Sequence, residues 1–219
     1  NVRDAMQLLD VAMKMGLRVN ADFIYGIPGD NADTVAQMCQ DINALGLSHV
    51  SMYELTIEKN TPFGQMNLAM PSNDAMADMY CTIAGTLALP RYEVSNYATP
   101  GNECIHNQNV WDGDAYVGIG RGAAGRPYID GTWYEQRGGD DIQMQPLTPS
   151  SRATEKIITG LRTVRGVRKS DDVMRVINTD WLRANPELVC DNNDRICVTE
   201  KGMLILDDLL LDLCNWDGK

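Results

Sequence analysis

The sequence lacks closely spaced cysteines: its six stand at 39, 81, 104, 190, 197 and 214, and none forms a CxxC or CxxxC pair. That spacing excludes a zinc ribbon, a dithiol redox motif and a cluster-binding loop. Histidine is nearly missing, with only His49 and His106. Basic charge is also in deficit, because 19 Lys and Arg face 30 Asp and Glu, for a net charge of −11 and a pI near 4.5. A phosphate-backbone binder needs concentrated Lys and Arg to displace counterions, so nucleic acid is excluded as a partner. No apolar run approaches the roughly 18 residues that cross a bilayer. Even 204–213 (LILDDLLLDL) is cut by aspartates. A membrane span is excluded; peripheral contact with a membrane is not. No basic segment followed by an apolar one marks a signal peptide. The first residue is Asn1 and 1–16 reads as the middle of a fold, so the expectation is a piece of a longer, cytoplasmic protein. No internal repeat or low-complexity tract is visible.

What is present is ordinary for a globular chain, with 44% hydrophobic and 22% charged residues. At 219 residues it is one large domain or one and a half, able to bury a real core. Apolar residues at 2, 5, 6, 9, 12 and 13 keep the 3.6 period of an amphipathic helix, which Gly16 stops. NADFIY at 20–25 is a short strand closed by Gly26-Ile27-Pro28-Gly29. A helix over 34–45 and a strand over 49–57 complete a βαβ unit, which implies parallel strands. A helix over 73–88 and a strand over 91–97 repeat the alternation and predict an α/β barrel or an open parallel sheet.

After Ala98 the texture changes. Residues 99–148, rich in Gly, Asn and Asp, read as long functional loops around one strand at 115–119. A boundary is placed at Pro146–Pro149, between domains 1–148 and 149–219. Helices over 154–164, 171–177 and 179–184, a hairpin over 188–198 and a last helix over 200–213 make a helices-plus-wing module. Residues 170–219 hold eleven acids and five bases, so this wing is not a DNA reader. A two-residue loop at 193–194 would set Cys190 and Cys197 opposite each other, as reduced strand residues of a cytosolic protein.

Strand alternation puts Asp22 with Ile24 and Gly26, away from Ala21, Phe23 and Tyr25. Inside a barrel, that carboxylate needs a partner; otherwise it caps nearby amides. Glu54 and Thr56 share a face with Val50 and Met52 and either line a cavity or meet solvent. Cys104-Ile-His106-Asn107-Gln-Asn-Val110-Trp111 brings an imidazole, a thiol and an indole within eight residues. Imidazole and thiolate are usual haem-iron ligands, and an aromatic neighbour can cover a porphyrin face. The bland alternative is a surface histidine that only hydrogen-bonds, and His49 beside a strand start is read that way outright. Gly118-Ile-Gly-Arg-Gly122 has no amphipathic helix after it to receive a phosphate, so it is a turn where backbone approaches a strand or ligand. Six Lys and Arg between 152 and 169 oppose Glu155 alone, a solvated helix face that could also receive a carboxylate.

Taken in order, Asp22-Phe-Ile-Tyr-Gly-Ile-Pro-Gly29, Ser51-Met-Tyr-Glu-Leu-Thr-Ile-Glu58 with Thr61-Pro-Phe63, Tyr92-Glu-Val-Ser-Asn-Tyr97, the 104–111 string, Gly-x-Gly-x-Gly-Ala at 118–123 and Arg195–Gly202 form a pattern. It resembles the radical S-adenosylmethionine (SAM) proteins of the HemW/HemN group, which are haem chaperones and oxygen-independent coproporphyrinogen III oxidases. The resemblance implies an α/β chain, an incomplete radical-SAM barrel of the TIM type followed by a small, winged-helix-like C-terminal domain. It implies SAM and a [4Fe–4S] cluster in the full-length protein, whose CxxxCxxC loop is not in this chain. By resemblance Asp22 contacts SAM, and Thr56 and Ala124 are further SAM-lining positions. His106, Cys104 and Asn107 become the haem candidates, with haem and haem-accepting proteins as partners. Val110 stands where the chaperones have tyrosine, and Ala124 where they have histidine. Three readings follow: a HemW-like haem chaperone, a coproporphyrinogen oxidase, or an inactive barrel remnant.

Overall fold

The computed structural model describes residues 1–216. The chain forms two compact units, Asn1–Glu103 and Cys104–Lys219.

The first unit begins with helix α1 (Val2–Lys14), capped by the Asn1 side chain on the Asp4 amide. Strand β1 (Asn20–Tyr25) runs through helix α2 (Ala32–Ala44) into strand β2 (His49–Glu54). The β1–β2 pairing is parallel, Asn20 to His49 through Tyr25 to Glu54, as the βαβ reading required. A capping box fixes where α2 starts: Asn31 Oδ1 accepts from the Thr34 amide (3.1 Å), and Thr34 Oγ1 accepts from the Asn31 amide (3.0 Å). Helix α3 (Asn73–Thr86) follows. Tyr25, Val35, Cys39, Ile42, Val50, Met52, Met79 and Ile83 form the core between sheet and helices. Only one face of β1 is buried in it. Ala21 and Phe23 pack there with Tyr25, whereas Asp22 and Ile24 are exposed on the opposite face.

The strand expected over 91–97 takes a different form. Strand β3 (Asn96–Ala98) pairs antiparallel with β2, and residues 91–92 fold back on it through an Arg91–Tyr97 bridge. The reversal has a local cause, since the Glu93 carboxylate accepts from the Ser95 amide (3.3 Å) and from the Asn96 side chain. The sheet of this unit is therefore mixed, in the order β1-β2-β3.

The second unit departs further from expectation over 104–148. The loop carrying His106 is a helix, α4 (Ile105–Trp111). The strand expected at 115–119 is reduced to a bridge between Tyr116 and Arg126. Four strands follow instead: β4 (Ala124–Gly125), β5 (Tyr128–Ile129), β6 (Thr132–Arg137) and β7 (Gln143–Pro146), all paired antiparallel on β6. Helix α5 (Pro149–Gly160) starts five residues earlier than its apolar period indicates, because Thr148 caps it and Pro149 suits its first turn. Strand β8 (Val167–Arg168), helices α6 (Asp171–Val176) and α7 (Thr179–Ala184), and the β9 (Val189–Asp191)–β10 (Arg195–Val198) hairpin give a small sheet ordered β8-β10-β9. Cys190 and Cys197 are direct cross-strand partners, and both thiols are free. The last helix is broken into α8 (Glu200–Met203) and α9 (Leu206–Leu213). Ile157, Leu161, Val173, Ile196, Leu209 and Leu213 are the buried centre of this helices-plus-wing part. Among the described residues no helix is long and apolar enough to cross a membrane.

Candidate functional site

In the first unit the polar side chains of the sheet collect on the face that the helices leave open. Asp22 is exposed there, and its Oδ1 accepts from Asn20 Nδ2 at 2.7 Å. The same amide nitrogen donates to Ser51 Oγ at 3.1 Å, and Ser51 donates to Asn96 Oδ1 at 2.7 Å. Asn20 Oδ1 lies 2.6 Å from His49 Nδ1, and His49 Nε2 lies 2.8 Å from the Tyr92 hydroxyl. Ser51 and Asn96 are buried, as is the Glu93 carboxylate that accepts from Asn96. Burial pushes the His49 imidazole below its ordinary value, while the negative charge of Asp22 pulls the other way. A neutral ring in a polar chain ending on two carboxylates results.

Asp22 thus holds the position its strand alternation assigned, on the face opposite the helical core. Thr56 lies two residues beyond the end of β2 and is exposed, and Glu54 at the strand end is exposed too. The loop after β1 is tied down by Asp30, whose Oδ2 accepts from the Gly26 (3.0 Å) and Ile27 (3.1 Å) amides. Gly26 has φ +78, a backbone conformation that L side chains rarely adopt, so glycine is favoured at the turn. His49 is what the sequence reading missed. Its partners come from 29 and 43 residues away, and no local motif announces them.

In the second unit, Cys104 precedes α4 as its N-cap without a side-chain cap bond. His106 is exposed, while Asn107 and Trp111, one helical turn apart, are half-buried. Position 110 is likewise one turn from His106, so the residue there shares the histidine's face. The Trp111 Nε1 is buried with no hydrogen-bond partner among the described residues. A cavity of ≈ 220 Å³ lies beside the helix end, lined by Val110, Asp114, Tyr116, Arg126, Arg152 and Glu155 among others. It is smaller than the ~300–1,000 Å³ of sites that enclose drug-sized ligands, so it takes a small group and not a macrocycle.

The glycine run is a turn packed on strand backbone. Gly118 donates to Gln136 Oε1 (3.1 Å) and accepts from Gln136 Nε2 (2.8 Å), and a Cβ on Gly118 would lie 2.5 Å from the Ala124 carbonyl oxygen. Ala124 itself is exposed at the start of β4, paired with Arg137. The basic stretch is not the solvated face expected of it. Arg152 is buried over the Trp133 ring at 3.9 Å, and Lys156, Arg162, Arg165 and Lys169 pair with Asp172, Asp207, Asp112 and Asp191. Arg121 pairs with Asp140, and Arg126 with Glu135 and Glu155, so the cations near α4 already face carboxylates.

No family profile matches the chain. It is 31% identical to the Heme chaperone HemW of Lactococcus lactis over 90% of this chain and 60% of that one. It is 36% identical to the Heme chaperone HemW of Mycobacterium tuberculosis over 89% and 55% respectively. The mitochondrial radical S-adenosyl methionine domain-containing protein 1 of Danio rerio is 28% identical, over the whole of this chain and 54% of its own. Among solved structures, the radical SAM enzyme coproporphyrinogen III oxidase (HemN) of Escherichia coli superposes with a TM-score of 0.70 at 16% identity, covering 97% of this chain and 58% of that one. That likeness shows the fold, an α/β architecture in which an incomplete barrel precedes a helical C-terminal part. The chain spans between half and three fifths of the length of these relatives.

Proposed function

The chain is homologous to the radical SAM HemW/HemN group over the part of it that it spans, and on that premise we propose that it is the C-terminal part of a HemW-like haem chaperone. The observation that carries the reading is the Cys104–Trp111 string in a chain whose relatives include several named Heme chaperone HemW. The helix it forms presents an imidazole to solvent, with Asn107 and Trp111 anchoring the other side. Haem is the cargo of this reading and haem-accepting proteins are its partners. In this reading His106 would hold the haem iron, with Cys104 as the fallback and Asn107 as a supporting contact. Residues 1–148 are assigned to the barrel part with its loops and 149–219 to the C-terminal domain. A cytoplasmic site of action accords with six cysteines none of which forms a disulfide among the described residues.

In the complete protein the barrel part is proposed to hold SAM, with Asp22 toward the ribose hydroxyls and Thr56 as a further lining position. The open face of β1 fits that role, because Asp22 points away from the helical core and is already oriented by an amide. SAM supplies radical chemistry once a reduced cluster is beside it. This chain's six cysteines do not include the loop that would hold one, and no three metal-ligating side chains converge among the described residues.

The oxidase reading has one observation of its own, the fold shared with the coproporphyrinogen oxidase. The two separate in one experiment on the full-length protein, given coproporphyrinogen III, SAM and reductant without oxygen. The chaperone reading expects no oxidative decarboxylation of the porphyrinogen. Steady turnover to protoporphyrinogen would replace it with the oxidase.

A further inference from the structure

The Asn20 amide is fixed by what surrounds it. Its nitrogen end has two acceptors, Asp22 Oδ1 at 2.7 Å and Ser51 Oγ at 3.1 Å. Its oxygen end therefore faces His49 Nδ1 at 2.6 Å, and that contact is a hydrogen bond only if Nδ1 carries the proton. A neutral ring protonated on Nδ1 leaves Nε2 as an acceptor, and the Tyr92 hydroxyl stands 2.8 Å away to donate. Donors then run in one direction, from Tyr92 to His49 to Asn20 to Asp22. A side branch runs from Asn20 through Ser51 and Asn96 to Glu93. His49 is only 7% exposed, and its ring meets Tyr92 edge-on at 5.6 Å. Without the imidazole donor the amide oxygen loses its short partner and keeps only the Ser51 hydroxyl at 3.4 Å, so the side chain is free to pivot and its donor end is no longer held on the Asp22 carboxylate.

We infer that His49 is a positioning residue for Asp22, acting through the Asn20 side-chain amide. This rests on the reading of Asp22 as the carboxylate that takes SAM. The imidazole touches no ligand. It holds the amide with its donor end toward the carboxylate, so that one Asp22 oxygen is engaged and the other is left for ligand hydroxyls.

The test is a double-mutant cycle on SAM affinity in the full-length protein with Asp22→Asn, His49→Phe and both together. His49→Phe keeps a ring but no donor and is expected to weaken SAM binding about tenfold, the scale of one hydrogen bond to a charged group. In the Asp22→Asn background it is expected to add less than about twofold, since it acts through that carboxylate. An equal loss in both backgrounds, or no loss in either, overturns the positioning role. If Asp22→Asn alone leaves SAM affinity unchanged, the SAM reading of Asp22 falls and takes this role with it. A second readout uses the 219-residue chain without ligand: nitrogen NMR of His49 is expected to show the Nδ1-protonated neutral ring, and Asn20→Ala is expected to shift it. An Nε2-protonated ring in the wild type overturns the relay even if His49→Phe proves unable to fold.

Discussion

Replacing Arg152 with methionine is the perturbation that bears most on how the second unit holds its helices. Arg152 is 5% exposed, and its guanidinium stacks on Trp133 of β6 at 3.9 Å. It donates to the Gly113 carbonyl, two residues past the end of α4, and to Glu155 Oε2 at 3.1 Å. One side chain on α5 thus ties down both the sheet and the 104–113 segment. Loss of a desolvated cation–π contact costs about 2 kcal/mol. Loss of a charged hydrogen bond to a carbonyl costs roughly 1.5–3 kcal/mol. Two effects work in the other direction. Glu155 keeps Arg126 at 2.8 Å, so no carboxylate is orphaned, and the buried Arg152 Nε, unpartnered among the described residues, returns about 1 kcal/mol on removal. Methionine refills the space of the aliphatic stem. The net expectation for Arg152→Met is a loss of about 2–4 kcal/mol. All four tryptophans (111, 133, 181 and 216) lie beyond residue 103, so indole fluorescence during urea unfolding reports the second unit alone. With an m-value of about 2 kcal/mol/M, the middle of the usual urea range, the midpoint should fall by roughly 1–2 M. A loss below about 0.5 kcal/mol would refute the reasoning, because a site this buried cannot be surface-like.

Gly166 has φ +69, and a Cβ there would stand 2.0 Å from the Ile196 carbonyl oxygen; Gly166→Ala should therefore detach β8 from β10 and cost about 3 kcal/mol or more, read by the same urea assay. The hydroxyl of Ser170, then the Lys156 ammonium 3.1 Å away, hold the Asp172 carboxyl at about 2. Its folded value lies below the unfolded one of about 3.9, so its contribution is present above that pH and lost as pH falls toward 2. Asp172→Asn should unfold at lower urea than the wild type at pH 6, and the gap should close on acidification; a gap independent of pH would exclude the linkage. Iodoacetamide should label exposed Cys81 and Cys190 first, while Cys39 and Cys214, buried and pushed up to about 11, react only after unfolding. Equal labelling of all four, mapped by mass spectrometry, would contradict the burial.

The regular elements were legible because their signals are local. NADFIY ends in a glycine turn and forms a strand over the residues read for it, and the apolar stripe at 35, 38, 42 and 45 became α2. Elements that depend on distant partners were not legible. Helix α4 consists of Ile-His-Asn-Gln-Asn-Val-Trp, mostly weak helix formers without an apolar period, and half-burial of Asn107 and Trp111 overrides that. The strands of 124–146 sit in Gly- and Asp-rich sequence, although Thr132-Trp-Tyr-Glu-Gln-Arg137 carries β-formers that could have signalled β6. The antiparallel return at β3 hangs on the Glu93 side chain, which no periodicity reveals. The same division runs through the site. Asp22 could be placed from alternation alone, whereas His49, whose partners lie at 20 and 92, could not. Charge alone marks the basic run at 152–169, but four of the acids that pair with it, at 172, 207, 112 and 191, lie outside the run.

The central claim, that the Cys104–Trp111 helix is the haem site, is tested most directly by haem titration. Haem is added to the wild-type chain, to His106→Ala and to Cys104→Ala, and optical spectra are recorded in each case. The account predicts a low-spin imidazole-type spectrum in the wild type and in Cys104→Ala, lost in His106→Ala alone. Identical spectra in all three would contradict it.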